Sequence, residues 1–141
     1  MTFIACTGLL EKQSKYEIEI ENVAAKKSMT SSSYLVETTN GYFVVVDLLV
    51  KAKSISRAVF TTDVYLNIDS VKYELHYNLY GNQDTQILGY VDIDTDLKSR
   101  VQLIFEVTSA DVSKTIILVF DGDEITLPQP KMASIEDLLG L

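Results

Sequence analysis

Few side chains in this chain could do chemistry, and they are scattered. A sequence of 141 residues contains one cysteine, Cys6, and one histidine, His76. A cysteine or serine hydrolase needs an imidazole within reach of its nucleophile. His76 instead stands in a stretch of tyrosine, asparagine and glycine, HYNLYGNQDT, far in sequence from Cys6, where it reads as a loop or edge residue. No phosphate-binding loop, dinucleotide fingerprint or His-Glu-x-x-His pair occurs. The expectation is a chain with no catalytic residues, no cofactor and no metal. A lone cysteine also excludes an intrachain disulfide and a multi-cysteine zinc site.

Carboxylates offer the next chemistry. Asp92, Asp94 and Asp96 are spaced by two, as at the start of an EF-hand loop, but that loop needs glycine sixth and glutamate twelfth. Leu97 and Leu103 stand there. A looser calcium site adding Asp121 and Asp123 is the sharper alternative to outward-facing residues that run into a turn. Glu17, Glu19 and Glu21 alternate with Tyr16, Ile18 and Ile20, which places the three carboxylates on one face of a strand, solvated or holding a cation.

Aromatic contact is the remaining chemistry. Tyr73, His76, Tyr77 and Tyr80 form the densest aromatic cluster. Tyrosine offers a large rigid face with a polar tip, suited to peptide or glycan recognition. Tyr73 alternates with core positions. Tyr77 and Tyr80 fall in the loop and are the interaction candidates there.

These residues must be positioned by strands. Gly41–Lys51, GYFVVVDLLVK, is apolar at every even position and at several odd ones, the pattern of a central strand covered on much of both faces. Tyr16–Glu21 is a half-exposed strand. Asn22–Ser33 reads as a mobile connection, Tyr34–Val36 as a short strand, and Asn40-Gly41 as a hairpin turn. Ala58–Leu75 reads as a hairpin turning at Asp69-Ser70. His76–Thr85 reads as a loop, Ile87–Ile93 and Val101–Val107 as strands, and Ser109–Lys114 as a connector. Thr115–Phe120 follows, then a turn at Asp121-Gly122 and a last strand at Ile125–Leu127. Pro128 and Pro130 are expected to end the sheet. Beyond them Ile135, Leu138 and Leu139 share one face of a short helix that Ser134 would cap, and so few residues of helix need a surface to dock on.

About seven short strands and no long helix predict an all-β fold, an antiparallel β-sandwich. Residues 1–15 form an N-terminal segment, 16–127 the sandwich, and 128–141 a linker with the short helix. A formal net charge of −8 and a pI near 4.5 exclude the basic footprint of a nucleic-acid binder and any attraction to an anionic membrane surface. No run is long enough to cross a membrane as a helix. Phe3-Ile4-Ala5-Cys6 resembles a bacterial lipobox, although the basic start and long apolar region of a leader are missing before it. Cys6 is therefore a lipidation candidate, with a cytosolic protein as the alternative.

The combination of GYFVVVDLLVKA, Lys72-Tyr73, LGYVDIDTDLKSRVQLIFEV and TIILVF resembles a bacterial family of unknown function, over about Tyr16–Phe120. Its members are sometimes mislabelled as telomeric-repeat-binding factors. That resemblance implies an immunoglobulin-like sandwich, shared with a mycobacterial secreted immunoprotective antigen, and a secreted or lipid-anchored protein. Ala52, Ser70 and Asp96-Leu97 depart from the family's usual asparagine, glycine and Pro-Gly. No site residue transfers from the family.

The expectation is a non-enzymatic protein-interaction module, at the cell surface or secreted, with a membrane contact only through a lipid on Cys6. The alternative is a cytosolic acidic inhibitor or immunity-type protein that masks a basic partner. Self-association through the tail at Ile135, Leu138 and Leu139 is compatible with either.

Overall fold

The apolar run that begins at Gly41 lies in the longest strand among the described residues. The structure, a computed structural model, describes residues 14–30, 36–80 and 90–132. Strand β1 (Tyr16–Thr30) pairs antiparallel with β2 (Val36–Ala52), from Tyr16 opposite Ala52 to Thr30 opposite Val36. The other edge of β2 takes β8 (Ser99–Val107), whose far edge takes β6 (Tyr77–Tyr80). A two-residue strand, β11 (Lys131–Met132), adds parallel to β1 at Ala24 and Ala25. The main sheet therefore runs β11-β1-β2-β8-β6.

A second sheet contains β4 (Val64–Ile68), β5 (Val71–Glu74), β9 (Ile117–Phe120) and β10 (Asp123–Thr126), in the order β10-β9-β4-β5. The short strands β3 (Arg57–Phe60) and β7 (Tyr90–Ile93) pair with each other, and a 3₁₀ turn spans Thr61–Asp63. The fold is an all-β sandwich, with eleven strands among the described residues.

Side-chain alternation explains the sandwich. Val44, Val46, Leu48, Val50 and Ala52 of β2 all point inward and are fully buried. They meet Leu103 and Phe105 of β8, Leu66 and Ile68 of β4, and Leu118 and Phe120 of β9 in one core. At one end the ring of Tyr16 meets that of Phe120 edge-on at 5.3 Å, which ties the first strand to the opposite sheet. Glu17, Glu19 and Glu21 lie on the outer side, as their alternation predicted, in ion pairs with Lys51, Lys98 and Arg100.

Several local expectations are corrected. Asn22–Ser33 is not a loose connection through its first part, because β1 continues to Thr30. Asn40-Gly41 does not reverse the chain but lies inside β2. The register there jumps from Lys26 opposite Phe43 to Ser28 opposite Thr38, so the turn-forming residues swell into a bulge. Lys27 fills the gap, its Nζ donating to the Gly41 carbonyl at 2.7 Å. His76–Thr85 is not loop throughout, since Tyr77–Tyr80 forms β6. Pro128 and Pro130 do not end the sheet: Pro130 is buried and β11 follows it at once. The helix expected in residues 133–141 lies outside the described residues.

The hairpin at Asp69-Ser70 is as expected, with φ of 52° and 67° at its two central residues. These left-handed angles define a type I′ turn made without glycine.

Candidate functional site

Over its first residues β1 presents an edge that no other described strand covers. The Lys53 amide donates to the Lys15 carbonyl at 3.0 Å. Antiparallel pairing then makes Glu17–Lys51 and Glu19–Leu49 the hydrogen-bonded pairs. Tyr16, Ile18 and Ile20, between them, turn their backbone N–H and C=O groups toward the opposite edge. Among the described residues, no strand pairs with Ile18 or Ile20 on that side.

A cleft of about 500 Å³ lies along this edge, with Tyr16 and Ile18 on one wall and Asp123, Glu124 and Ile125 of β10 on the other. β10 is likewise an edge strand, at the end of the second sheet. The turn before it, Asp121-Gly122, has φ of 47° and 90° and closes a two-residue hairpin on the Phe120–Asp123 pair. The backbone of Glu124 then faces outward, into the cleft. Two strand edges that no described strand covers thus face one space.

Asp123 closes one end of that space. It is the one buried charged residue among those described. Its carboxylate accepts the Ser14 hydroxyl at 2.8 Å, the Lys15 N–H at 3.0 Å and the Tyr16 N–H at 3.1 Å. Asp121 adds a second clamp. Its Oδ2 accepts the Tyr16 hydroxyl at 2.6 Å and lies 3.6 Å from Lys15 Nζ, which also donates to the Asp121 carbonyl at 3.1 Å. Burial pushes the Tyr16 hydroxyl well above the ordinary tyrosine range, and the Asp121 carboxylate beside it pushes the same way. The hydroxyl stays protonated and acts as a donor, with no acid–base role near neutral pH.

Among the described residues, the lining of the cleft carries two carboxylates, Asp123 and Glu124, and no basic side chain. Its apolar floor is Ile18 and Ile125, both half-buried. Backbone donors and acceptors, apolar pockets at alternate positions and an acidic rim are the parts that hold an extended, cationic segment.

The other sequence candidates fall elsewhere. Cys6, Ile135, Leu138 and Leu139 lie outside the described residues. Tyr77 and Tyr80 sit in β6, opposite Ile104 and Val101, so the structure places both in a strand and not in a loop. The His76 ring lies against Phe43, centroids 5.6 Å apart, and its backbone N–H donates to the Ile104 carbonyl. Tyr73 is half-buried against the core and its hydroxyl donates to Asp111 at 2.6 Å. That hydrogen bond, with Lys114 beside it, holds the Asp111 carboxyl below its usual range.

The aspartates do not gather. Asp92, Asp94 and Asp96 are exposed on and after β7, while Asp121 and Asp123 are taken up by Ser14, Lys15 and Tyr16. Among the described residues no group of three or more histidine, cysteine, aspartate or glutamate side chains is placed to hold a metal ion. The cleft itself was missed by sequence reasoning. Its one signal was the pairing of a two-residue turn, Asp121-Gly122, with a further aspartate that opens the next strand.

The chain matches no protein-family model, no curated protein and no solved structure.

Proposed function

We propose that the protein is a non-enzymatic interaction module that takes an extended, basic segment of a partner protein along the open edge of β1. The observation that carries this reading is the outward-facing backbone of Ile18 in a cleft whose charged lining, among the described residues, is acidic. Further along the same edge the chain already adds a strand of its own, β11, by parallel pairing at Ala24 and Ala25. An added segment at Ile18 would extend that arrangement past the bulge at Glu21. Main-chain hydrogen bonds would give affinity, and Ile18 and Ile125 would receive alternate side chains. The net charge of −8 favours a cationic partner and speeds the encounter.

An immunoglobulin-like variety of the sandwich, and attachment through a lipid on Cys6, belong to the same proposal. A lipid there would set the cleft close to the membrane, since Ser14 lies only a short way along the chain. Masking of a basic partner in the cytosol uses the same cleft without the lipid.

A synthetic peptide alternating lysine and valine tests the reading in the full chain by NMR titration. The expected result is perturbation of the Ile18 and Ile20 amides with slowed hydrogen exchange at both. Ile18→Pro removes an edge-facing N–H that β2 does not use, and Ile18→Ala controls for the lost side chain. Binding lost in Ile18→Pro but kept in Ile18→Ala supports strand addition. Equal binding by the two variants, or perturbation confined to Tyr77–Tyr80, rejects it.

A further inference from the structure

The space beside Ile18 has a second wall, the edge of β10, with backbone groups of its own. The two-residue turn sets Phe120 opposite Asp123, and the Leu127 amide donates to the Ile116 carbonyl at 2.9 Å. The hydrogen-bonded pairs are therefore Phe120 with Asp123, Leu118 with Ile125, and Ile116 with Leu127. Glu124 and Thr126, between them, turn their N–H and C=O groups away from β9, and no other described strand pairs with them.

The two edges belong to different sheets and run the same way. They start together at the Asp123 clamp, and the chain that leaves β10 through residues 127–130 meets the edge of β1 again at Ala24. Packed sheets stand about 10 Å apart and paired strands about 4.8 Å apart. One strand laid in such a gap is at pairing distance from both edges at once. The clamp already shows this geometry in small: Asp123, rooted in β10, accepts the edge-facing N–H of Tyr16 in β1, where the carbonyl of an added strand would otherwise stand. With a rise of about 3.3 Å per residue, a strand residue fills about 160 Å³ at those spacings. The cleft of about 500 Å³ thus has room for about three. Residues 124–126, the part of β10 beyond the clamp, are a stretch of that length.

Side-chain parity sets what such a strand must carry. Ile18 and Ile125 face the gap between the sheets and are half-buried. Glu17 and Glu19 of β1 and Glu124 of β10 face outward and are exposed. A strand between them alternates in the same way, so its inward side chains meet isoleucine on both sides and its outward ones meet carboxylate on both. Glu17 and Glu19 also meet Lys51 and Lys98, in exposed ion pairs weak enough for a further cation to share.

We infer that the partner's segment fits between β1 and β10 as one strand shared by both sheets, paired over about three residues, with β-branched apolar side chains inward and lysine or arginine outward. This inference rests on the edge-binding reading proposed above and adds to it the second edge and the alternation.

Hydrogen exchange on the full chain, with and without the lysine–valine peptide, tests the second edge separately from the first. Slowed exchange is expected at the Glu124 and Thr126 amides as well as at Ile18. Thr126→Pro removes an N–H that β9 does not use and should weaken peptide binding, whereas Thr126→Ala should not. A peptide alternating glutamate and valine should fail to compete. Protection at Ile18 with none at Glu124 and Thr126 overturns the shared strand and leaves the edge-binding reading standing. Protection at neither edge removes both. Glu124 and Thr126 amides that already exchange as slowly as those of β9 in the free protein overturn the inference too, because the chain itself then covers that edge. Equal binding of the lysine and glutamate peptides overturns the stated alternation.

Discussion

Asp123 Oδ2 accepts the backbone N–H of Tyr16 at 3.1 Å, joining strands 107 positions apart in sequence. The bond sets the first strand of one sheet against the last strand of the other, and it defines the closed end of the cleft. Removing the carboxylate leaves the N–H groups of Lys15 and Tyr16 without their acceptor. Asp123→Ala should cost about 3 kcal/mol, since hydrogen bonds to a charged group and stranded buried donors are both expensive. Asp123→Asn keeps one amide oxygen and should cost less. Urea denaturation ranks them, and an alanine variant as stable as the parent would remove the clamp from the account.

The Tyr16 hydroxyl supports a prediction with a definite sign. Its folded-state pKa is raised by burial and by Asp121, so its contribution is complete below the ordinary tyrosine value of about 10 and declines as pH rises through the folded-state value. Tyr16→Phe loses the hydrogen bond to Asp121 and should be about 1–2 kcal/mol less stable at neutral pH. That deficit should narrow above pH ~10, where only the parent suffers the proton release that favours unfolding. Chemical melts at neutral and alkaline pH measure the gap; a gap that widens would contradict the shift.

Val46 and Phe105 are both fully buried in the core between the sheets. Phe105→Ala should cost about 3–5 kcal/mol, and Val46→Ala about 2 kcal/mol, because each leaves a space the core closes only in part. Parent-like melting of both variants would mean that the inward face of β2 has been misassigned.

At Gly41 a Cβ would overlap the Val107 carbonyl of the neighbouring strand. Gly41→Ala should therefore destabilise by about 1–3 kcal/mol through displaced backbone, despite the better strand entropy of alanine. If calorimetry finds this variant neutral, the bulge at Lys27 must be able to open.

Ser70 sits at φ 67° in a turn built without glycine. The left-handed conformation costs about 1–2 kcal/mol for a side-chain-bearing residue, and glycine in exchange carries about 0.5–1 kcal/mol of chain entropy. Ser70→Gly should raise stability by about 0.5–1 kcal/mol, read as a higher melting midpoint. A lower midpoint would mean that the serine hydroxyl stabilises the turn.

Patterns that depend on neighbours in sequence were legible before the structure. Alternation along Tyr16–Glu21 and Val101–Val107 placed their faces correctly, because a strand side chain's direction depends only on its parity. The hairpin at Asp69-Ser70 was legible for the same reason: two turn-forming residues interrupt two period-2 runs. Asn40-Gly41 misled, since neither residue takes a positive φ here and the pair is absorbed into the bulge of β2, where Gly41 lies against the Val107 carbonyl. The choice was made by β1, whose pairing partners continue on both sides of the gap.

The sequence by itself determined an acidic all-β chain, the location of its central strand, and the inward set Val44, Val46, Leu48 and Val50. All of these follow from composition and from periods of two residues. Only the tertiary structure decided that no described strand pairs with β1 at Ile18 on its outer edge, that β10 faces that edge, and that Asp123 joins the two. It also decided that Phe43, Val45 and Ile104 are buried on the face opposite the core. Strand order, register and edge are set by which surfaces meet across the sandwich. The same alternating pattern is equally compatible with a strand in the middle of a sheet or at its edge, because hydrophobic burial constrains the two faces of a strand and leaves its two edges unspecified.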